Sequence, residues 1–85
     1  MNEKNITKEE VKLLILIRDE IKGKKRLVIN EIRLAKAINV DAGKIYWYLK
    51  RLKRMGYIKL YKRVMFKNII TYCEVLYGDI KIWKD

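Results

Sequence analysis

Apolar residues recur at helical spacing in the first part of the chain, from residue 11 to residue 21. Thr7 and Glu10 lie three residues apart just before this stripe, the pattern of a capping box at a helix N-terminus. Gly23 follows the stripe as a left-handed terminator. The sequence therefore predicts a first helix over residues 8–22, and its apolar face is expected to serve mainly as core.

Two further helices are predicted after a short strand at residues 26–29. Asn30 is placed to cap the second helix, and Asn39, which tolerates a positive φ, to end it in a sharp turn. Asp41 is placed to cap a third helix over residues 42–55. The apolar seam of this third helix consists of Ile45, Leu49, Leu52 and Met55.

The rest of the chain has strand character, because residues 57–77 are dense in Ile, Val, Tyr and Phe. Lys67-Asn68 is the expected hairpin tip, and the segment 64–66 is expected to be partly packed strand. A turn at Gly78-Asp79 precedes a last apolar segment that contains Trp83, which we expect either in the core or in a dimer seam. The pattern predicts one α+β domain over residues 1–85.

The composition restricts the chemistry that this domain can perform. The chain has 85 residues and contains no histidine, and its single cysteine is Cys73. It also lacks serine, so neither a Ser-His-Asp triad nor a histidine-bearing metal site can form. Cys73 is expected to be a small buried hydrophobe rather than a redox sensor. We therefore expect no catalytic residues, no metal, no cofactor and no small-molecule ligand.

The charge is strongly positive, with 21 Lys and Arg against 10 Asp and Glu, a formal net charge of +11. Such an excess favours a polyanionic partner. It is also concentrated, because residues 42–67 contain nine basic residues and no acidic one. The basic run at residues 50–54 has no acidic neighbours at i±4 to pair with, which argues against an ordinary solvated helix face.

The mixed-charge N-terminus does not look like a signal peptide. The longest apolar run, residues 13–17, is far shorter than a membrane span. A cytoplasmic, nucleoid-associated protein with no membrane partner is expected. Its abundance of Ile and Lys favours an AT-rich source, such as an archaeal virus or a thermophile.

The segment 30–58, NEIRLAKAINVDAGKIYWYLKRLKRMGYI, resembles the helix-turn-helix of winged-helix DNA-binding proteins. The resemblance is carried by Leu34-Ala35, Ile38-Asn39-Val40, Asp41 as a cap, and Met55-Gly56-Tyr57-Ile58 at the entry to the hairpin. It implies a winged helix-turn-helix fold in which the third helix enters the major groove of double-stranded DNA and the hairpin forms the wing.

The resemblance also implies which residues face DNA. On the third helix these are Gly43, Lys44, Tyr46, Trp47, Lys50, Arg51 and Arg54. On the wing they are Lys59, Lys62, Arg63 and Lys67. The lysines at 44 and 50, with Arg54, suit phosphates, whereas Arg51 suits a bidentate contact to guanine. Tyr48 is expected to be more buried than its two aromatic neighbours.

The expected function is that of a small, sequence-specific transcriptional regulator acting as a homodimer, with the wide apolar stripe of the first helix sealing the dimer. One alternative is an architectural protein that coats DNA without sequence preference. A second is a protein-interaction module that docks through Tyr46, Trp47 and Phe66. A third is peripheral membrane binding through basic amphipathic surfaces.

Overall fold

The computed structural model describes residues 6–76. This part of the chain contains three helices and one antiparallel sheet of three strands. The first strand follows the first helix, and the other two strands follow the third helix. The order is α1 (Lys8–Ile21), β1 (Leu27–Val28), α2 (Glu31–Ile38), α3 (Ala42–Arg54), β2 (Ile58–Met65) and β3 (Asn68–Val75). The sheet order is β1-β3-β2. The α+β prediction is confirmed, and the turn at 78–79 and Trp83 lie outside the described residues.

Local capping signals set the helix boundaries. Thr7 Oγ1 accepts from the Glu10 amide at 3.2 Å, and Glu10 Oε1 accepts from the Thr7 amide at 2.9 Å, so the capping box is complete. The Asn30 side chain caps α2 through the Arg33 amide. Asn39 ends α2 in the left-handed conformation, at φ 60. Asp41 occupies the N-cap of α3, but its side chain makes no capping hydrogen bond.

The core lies where the three helices and the near end of the hairpin meet. Its fully buried side chains include Leu13, Leu14, Ile17, Leu34, Ile45, Leu52, Ile58 and Cys73. The large apolar side chains of α1 are all buried or half-buried. The stripe of α1 is therefore used largely within the domain. No helix in the described part of the chain is long and apolar enough to span a membrane.

The hairpin turns one residue earlier than the sequence suggested. Its pairing runs from Ile58 opposite Val75 to Met65 opposite Asn68, which leaves Phe66 and Lys67 as the tip. The predicted tip at Lys67-Asn68 is wrong because Asn68 is a paired strand residue. A two-residue connection needs a positive φ at its first central residue, and that residue is Phe66, at φ 57.

The residues near the tip are exposed, so the prediction that segment 64–66 is partly packed is also wrong. Val64 is 72% exposed and Phe66 is 96% exposed. Val64 lies on the same face of β2 as the buried Ile58, since alternate strand residues share a face. Burial on this face fades along β2 and is gone beyond Leu60. The far half of the hairpin (residues 62–71) therefore extends away from the helices that cover its near half (residues 58–61 and 72–75).

Candidate nucleic-acid interface

The outward face of α3 carries four residues in one line. Gly43, Trp47, Lys50 and Arg54 are spaced by four, three and four residues, so they share a face of the helix. All four are exposed, while Ile45, Leu49 and Leu52 on the opposite face are buried. A Cβ placed on Gly43 would meet no atom within 4 Å. This outer stripe (Gly43, Trp47, Lys50 and Arg54) is thus open to a partner along its whole length.

Two aromatic rings hold a lysine on this face. The rings of Tyr46 and Trp47 meet edge to face, with centroids 5.6 Å apart. Lys50 Nζ lies 5.2 Å from the Tyr46 centroid and 5.9 Å from the Trp47 centroid. Such cation–π contacts restrain the ammonium group without neutralising its charge. Tyr48 is half-buried against the core, as expected, whereas both of its aromatic neighbours are exposed.

Arg51 has a partner on α1. Its Nε lies 3.1 Å from Glu10 Oε2, and Glu10 is only 2% exposed. The same carboxylate accepts from the Thr7 amide through its other oxygen. The Arg51 side chain is therefore tied to α1 through Glu10. The acidic partner of Arg51 comes from another helix, so it is not visible among the residues at i±4 on α3.

A shallow concavity of about 580 Å³ lies along the C-terminal half of α3. Its lining residues are Trp47, Lys50, Arg51, Lys53 and Arg54. Lys53 was missing from the predicted contact set, although it belongs to the same basic run and is exposed. One exposed indole and four cations give this surface the chemistry of a site for a polyanion that carries flat rings.

The four predicted wing residues are all exposed but lie on different faces of the hairpin. Lys59 and Arg63 share the face turned away from the core, Lys62 lies on the other face, and Lys67 is at the tip. Lys59 stands opposite Glu74 in the register. Its charge is therefore partly balanced within the hairpin, and the net positive charge of the wing is concentrated in its far half.

A second cation–aromatic cluster lies on the outer face of the sheet. Arg26 stacks over Tyr61 and Tyr72, with its Cζ 5.9 and 5.6 Å from the two ring centroids. These tyrosines are opposite each other in the register, and Tyr61 also donates a hydrogen bond to Glu74 at 3.3 Å. Sequence reasoning missed this cluster because strand register decides which tyrosines are neighbours.

Two titratable groups away from α3 and the hairpin tip, Cys73 and Glu20, have structural roles. Burial raises the pKa of the Cys73 thiol to about 12, and the negative charge of Glu74 acts in the same direction. Cys73 is fully buried, as expected of a small hydrophobe. On the surface, a hydrogen bond from Arg33 lowers the pKa of Glu20 and links α2 to α1. Within residues 6–76, no group of three or more Cys, Asp or Glu side chains is arranged to bind a metal.

Comparison with known proteins gives one match. Residues 25–59 fit the family model described as winged helix-turn-helix DNA-binding, and this segment includes β1, α2, α3 and the start of β2. No curated protein matches the chain, and no solved structure matches it. The matched segment contains the whole outer stripe, and the family indicates DNA as its partner. The segment 25–59 thus matches the winged helix-turn-helix DNA-binding family, and the three helices and the antiparallel sheet are those of a winged helix-turn-helix fold.

Proposed function

We propose that this protein is a small transcriptional regulator that binds specific double-stranded DNA sites through α3 in the major groove. The observation that carries the proposal is the outer stripe, four exposed residues in line on the helix that the winged helix-turn-helix family uses for DNA. It lies in the window 42–67, where nine basic residues occur without an acidic one. DNA neutralises such a surface with its phosphates.

The contacts divide by chemistry. Lys44, Lys50 and Arg54 are exposed cations suited to phosphates. Gly43 allows the helix backbone to approach the duplex closely, because no side chain stands between them. The exposed edge of Trp47 is suited to thymine methyl groups or sugars. On the wing, Lys62, Arg63 and Lys67 are suited to the phosphates next to the groove that α3 occupies, with Lys59 a lesser contact beside Glu74.

Arg51 is restrained by its contact with α1. Glu10 holds its Nε and so fixes the direction in which the guanidinium leaves α3. A contact from Arg51 to guanine therefore has to be made from the side of α3 that lies next to α1. Replacing Arg51 would disturb a buried carboxylate as well as any DNA contact, so it is a poor choice for testing recognition.

The test is a salt titration of duplex binding with two matched triple variants. Replacing Lys44, Lys50 and Arg54 by Ala should lower affinity and reduce the log–log salt slope by about 2 to 3, since each phosphate contact contributes about 0.9. The control replaces Lys8, Lys12 and Lys36, which are also exposed but lie outside the window 42–67. It removes the same charge and should change the slope by less than about 1. Equal losses in both variants would contradict the assignment of α3.

Sequence specificity and the homodimer need a footprint on promoter DNA from the source genome. A two-fold dimer should protect two half-sites about one helical turn apart, roughly 10 to 10.5 base pairs. Uniform protection along the DNA would favour an architectural protein instead. Protection of a single half-site, without two-fold symmetry, would show that one copy of the protein is enough for binding.

A further inference from the structure

The tip of the wing combines exposure with a backbone conformation that does not suit its residue. Phe66 is 96% exposed and lies at φ 57. Among the described residues other than glycine, Asn39 shares a positive φ, but Asn tolerates this conformation and Phe does not. Packing within the chain cannot compensate Phe66, because almost none of its surface is covered. An aromatic ring that is exposed in this way, on a backbone with a positive φ, is placed to contact a binding partner.

The neighbours of Phe66 enlarge this feature into an apolar tip. Val64 and Ile69 stand opposite each other in the register just behind the turn, at 72% and 67% exposure. Arg63 precedes Val64 and Lys67 follows Phe66 in the sequence, and both cations are exposed. The wing tip (residues 63–69) is therefore an aromatic point on an apolar base, flanked by cations.

The flanking cations indicate what this tip binds. A second copy would bring the same positive charges together, in a chain whose formal net charge is already +11. A polyanion with apolar surfaces between its charges fits both features at once. Duplex DNA has this character in its minor groove, where phosphates line the walls and flat base pairs are stacked between them. The hairpin also follows α3 directly in the chain, which brings the tip to the same DNA.

We propose that Phe66 is a wedge that enters the minor groove of the bound duplex, inserts between two base pairs and bends the DNA. The proposal rests on the DNA-binding function proposed above and adds a specificity determinant to it. Val64 and Ile69 pack against the sugars behind the inserted ring, while Arg63 and Lys67 neutralise the phosphates on either side. Insertion is easiest at pyrimidine–purine steps, because these unstack most readily. The wing thereby selects sites with such a step at a fixed distance from the sequence that α3 contacts.

Because Phe66 has a positive φ, replacing it with glycine can separate an effect on binding from an effect on folding. Phe66→Gly removes the ring and also suits the positive φ, so the melting temperature should stay the same or rise. Phe66→Trp keeps a flat ring at the same position. Val28→Ala is the matched control, because Val28 is another exposed apolar residue but lies on β1, outside the tip.

The experiment measures energy transfer between dyes at the two ends of a short duplex that carries a footprinted site with a TA step beside it. Wild type and Phe66→Trp should shorten the end-to-end distance, and Phe66→Gly should not. Phe66→Gly should also bind about 5- to 100-fold more weakly, the range expected for losing one aromatic–base stack. Its salt slope should be unchanged because the phosphate contacts remain. Val28→Ala should behave like wild type.

Several results would overturn the wedge. One is a Phe66→Gly variant that binds and bends the duplex as wild type does, which would leave the DNA-binding proposal intact. Another is sedimentation showing a wild-type dimer that Phe66→Gly dissociates, since the tip would then bind a second copy. A third is Phe66-dependent binding to anionic phosphatidylserine vesicles with Phe66-independent DNA bending. If wild type shows no salt-dependent duplex binding at all, the proposed function fails and the wedge fails with it.

Discussion

The near and far halves of the β2–β3 hairpin both carry apolar residues on the same face of the sheet, but these residues have opposite environments. Ile58 in the near half and Ile69 in the far half lie on the same face of one continuous ladder. Ile58 is 1% exposed because the helices cover it, whereas Ile69 is 67% exposed. Strand alternation alone therefore does not decide burial. What decides it is whether another element covers that face, and only the near half of the hairpin is covered.

The largest expected contrast between the halves is in thiol reactivity. Cys73 lies in the near half, where burial raises its pKa to about 12. An Ile69→Cys variant adds a thiol to the exposed far half, with an ordinary pKa of about 8.5. At pH 8 the thiolate fractions differ by about 2000-fold, and burial also keeps the reagent away from Cys73. Mass spectrometry should therefore show one fast alkylation and one that is slower by at least that factor.

The pH dependence of these two rates provides the control. The rate at the added thiol should level off above about pH 9, where it is mostly ionised. The rate at Cys73 should go on rising towards pH 12, because its folded-state pKa is raised. Similar rates at both thiols at pH 8 under native conditions would show that the near half opens readily and that the contrast in burial does not hold in solution.

The next largest contrast is in stability, tested by the same substitution in each half. Ile58→Ala empties a fully buried position and should lower the free energy of unfolding by about 2 to 4 kcal/mol. Ile69→Ala removes an exposed side chain and should change it by no more than about 0.5 kcal/mol. Urea denaturation of both variants measures this difference. A large loss from Ile69→Ala would mean that the far half is covered in the free protein, for instance by a second copy.

Features controlled by neighbouring residues could be predicted from the sequence. The capping box of Thr7 and Glu10 and the turn at Asn39 depend on residues only a few positions apart. The greater burial of Tyr48 than of Trp47 was predicted for the same reason, since successive helix residues point about 100° apart. The winged-helix fold could then be expected from the order of these elements.

Features that depend on distant residues could not be predicted. The hairpin tip was displaced by one residue because Asn68 has the chemistry of a turn residue, whereas the pairing of the whole ladder places Phe66 at the turn. Arg51 looked like a free basic residue on α3 because its carboxylate partner is on α1. In both cases local preference was outweighed by an interaction that exists only in the folded chain.

The carboxylate of Glu10 has a consequence for engineering this domain. One of its oxygens accepts from the Thr7 amide at the start of α1 and the other pairs with Arg51, so the first turn of α1 helps to orient a side chain of α3. The matched segment 25–59 contains α3 but not Glu10. A minimal segment of residues 25–59 grafted onto another protein would carry Arg51 without its ion-pair partner Glu10. Transplanting the surface in its native geometry requires the chain from Thr7 onward.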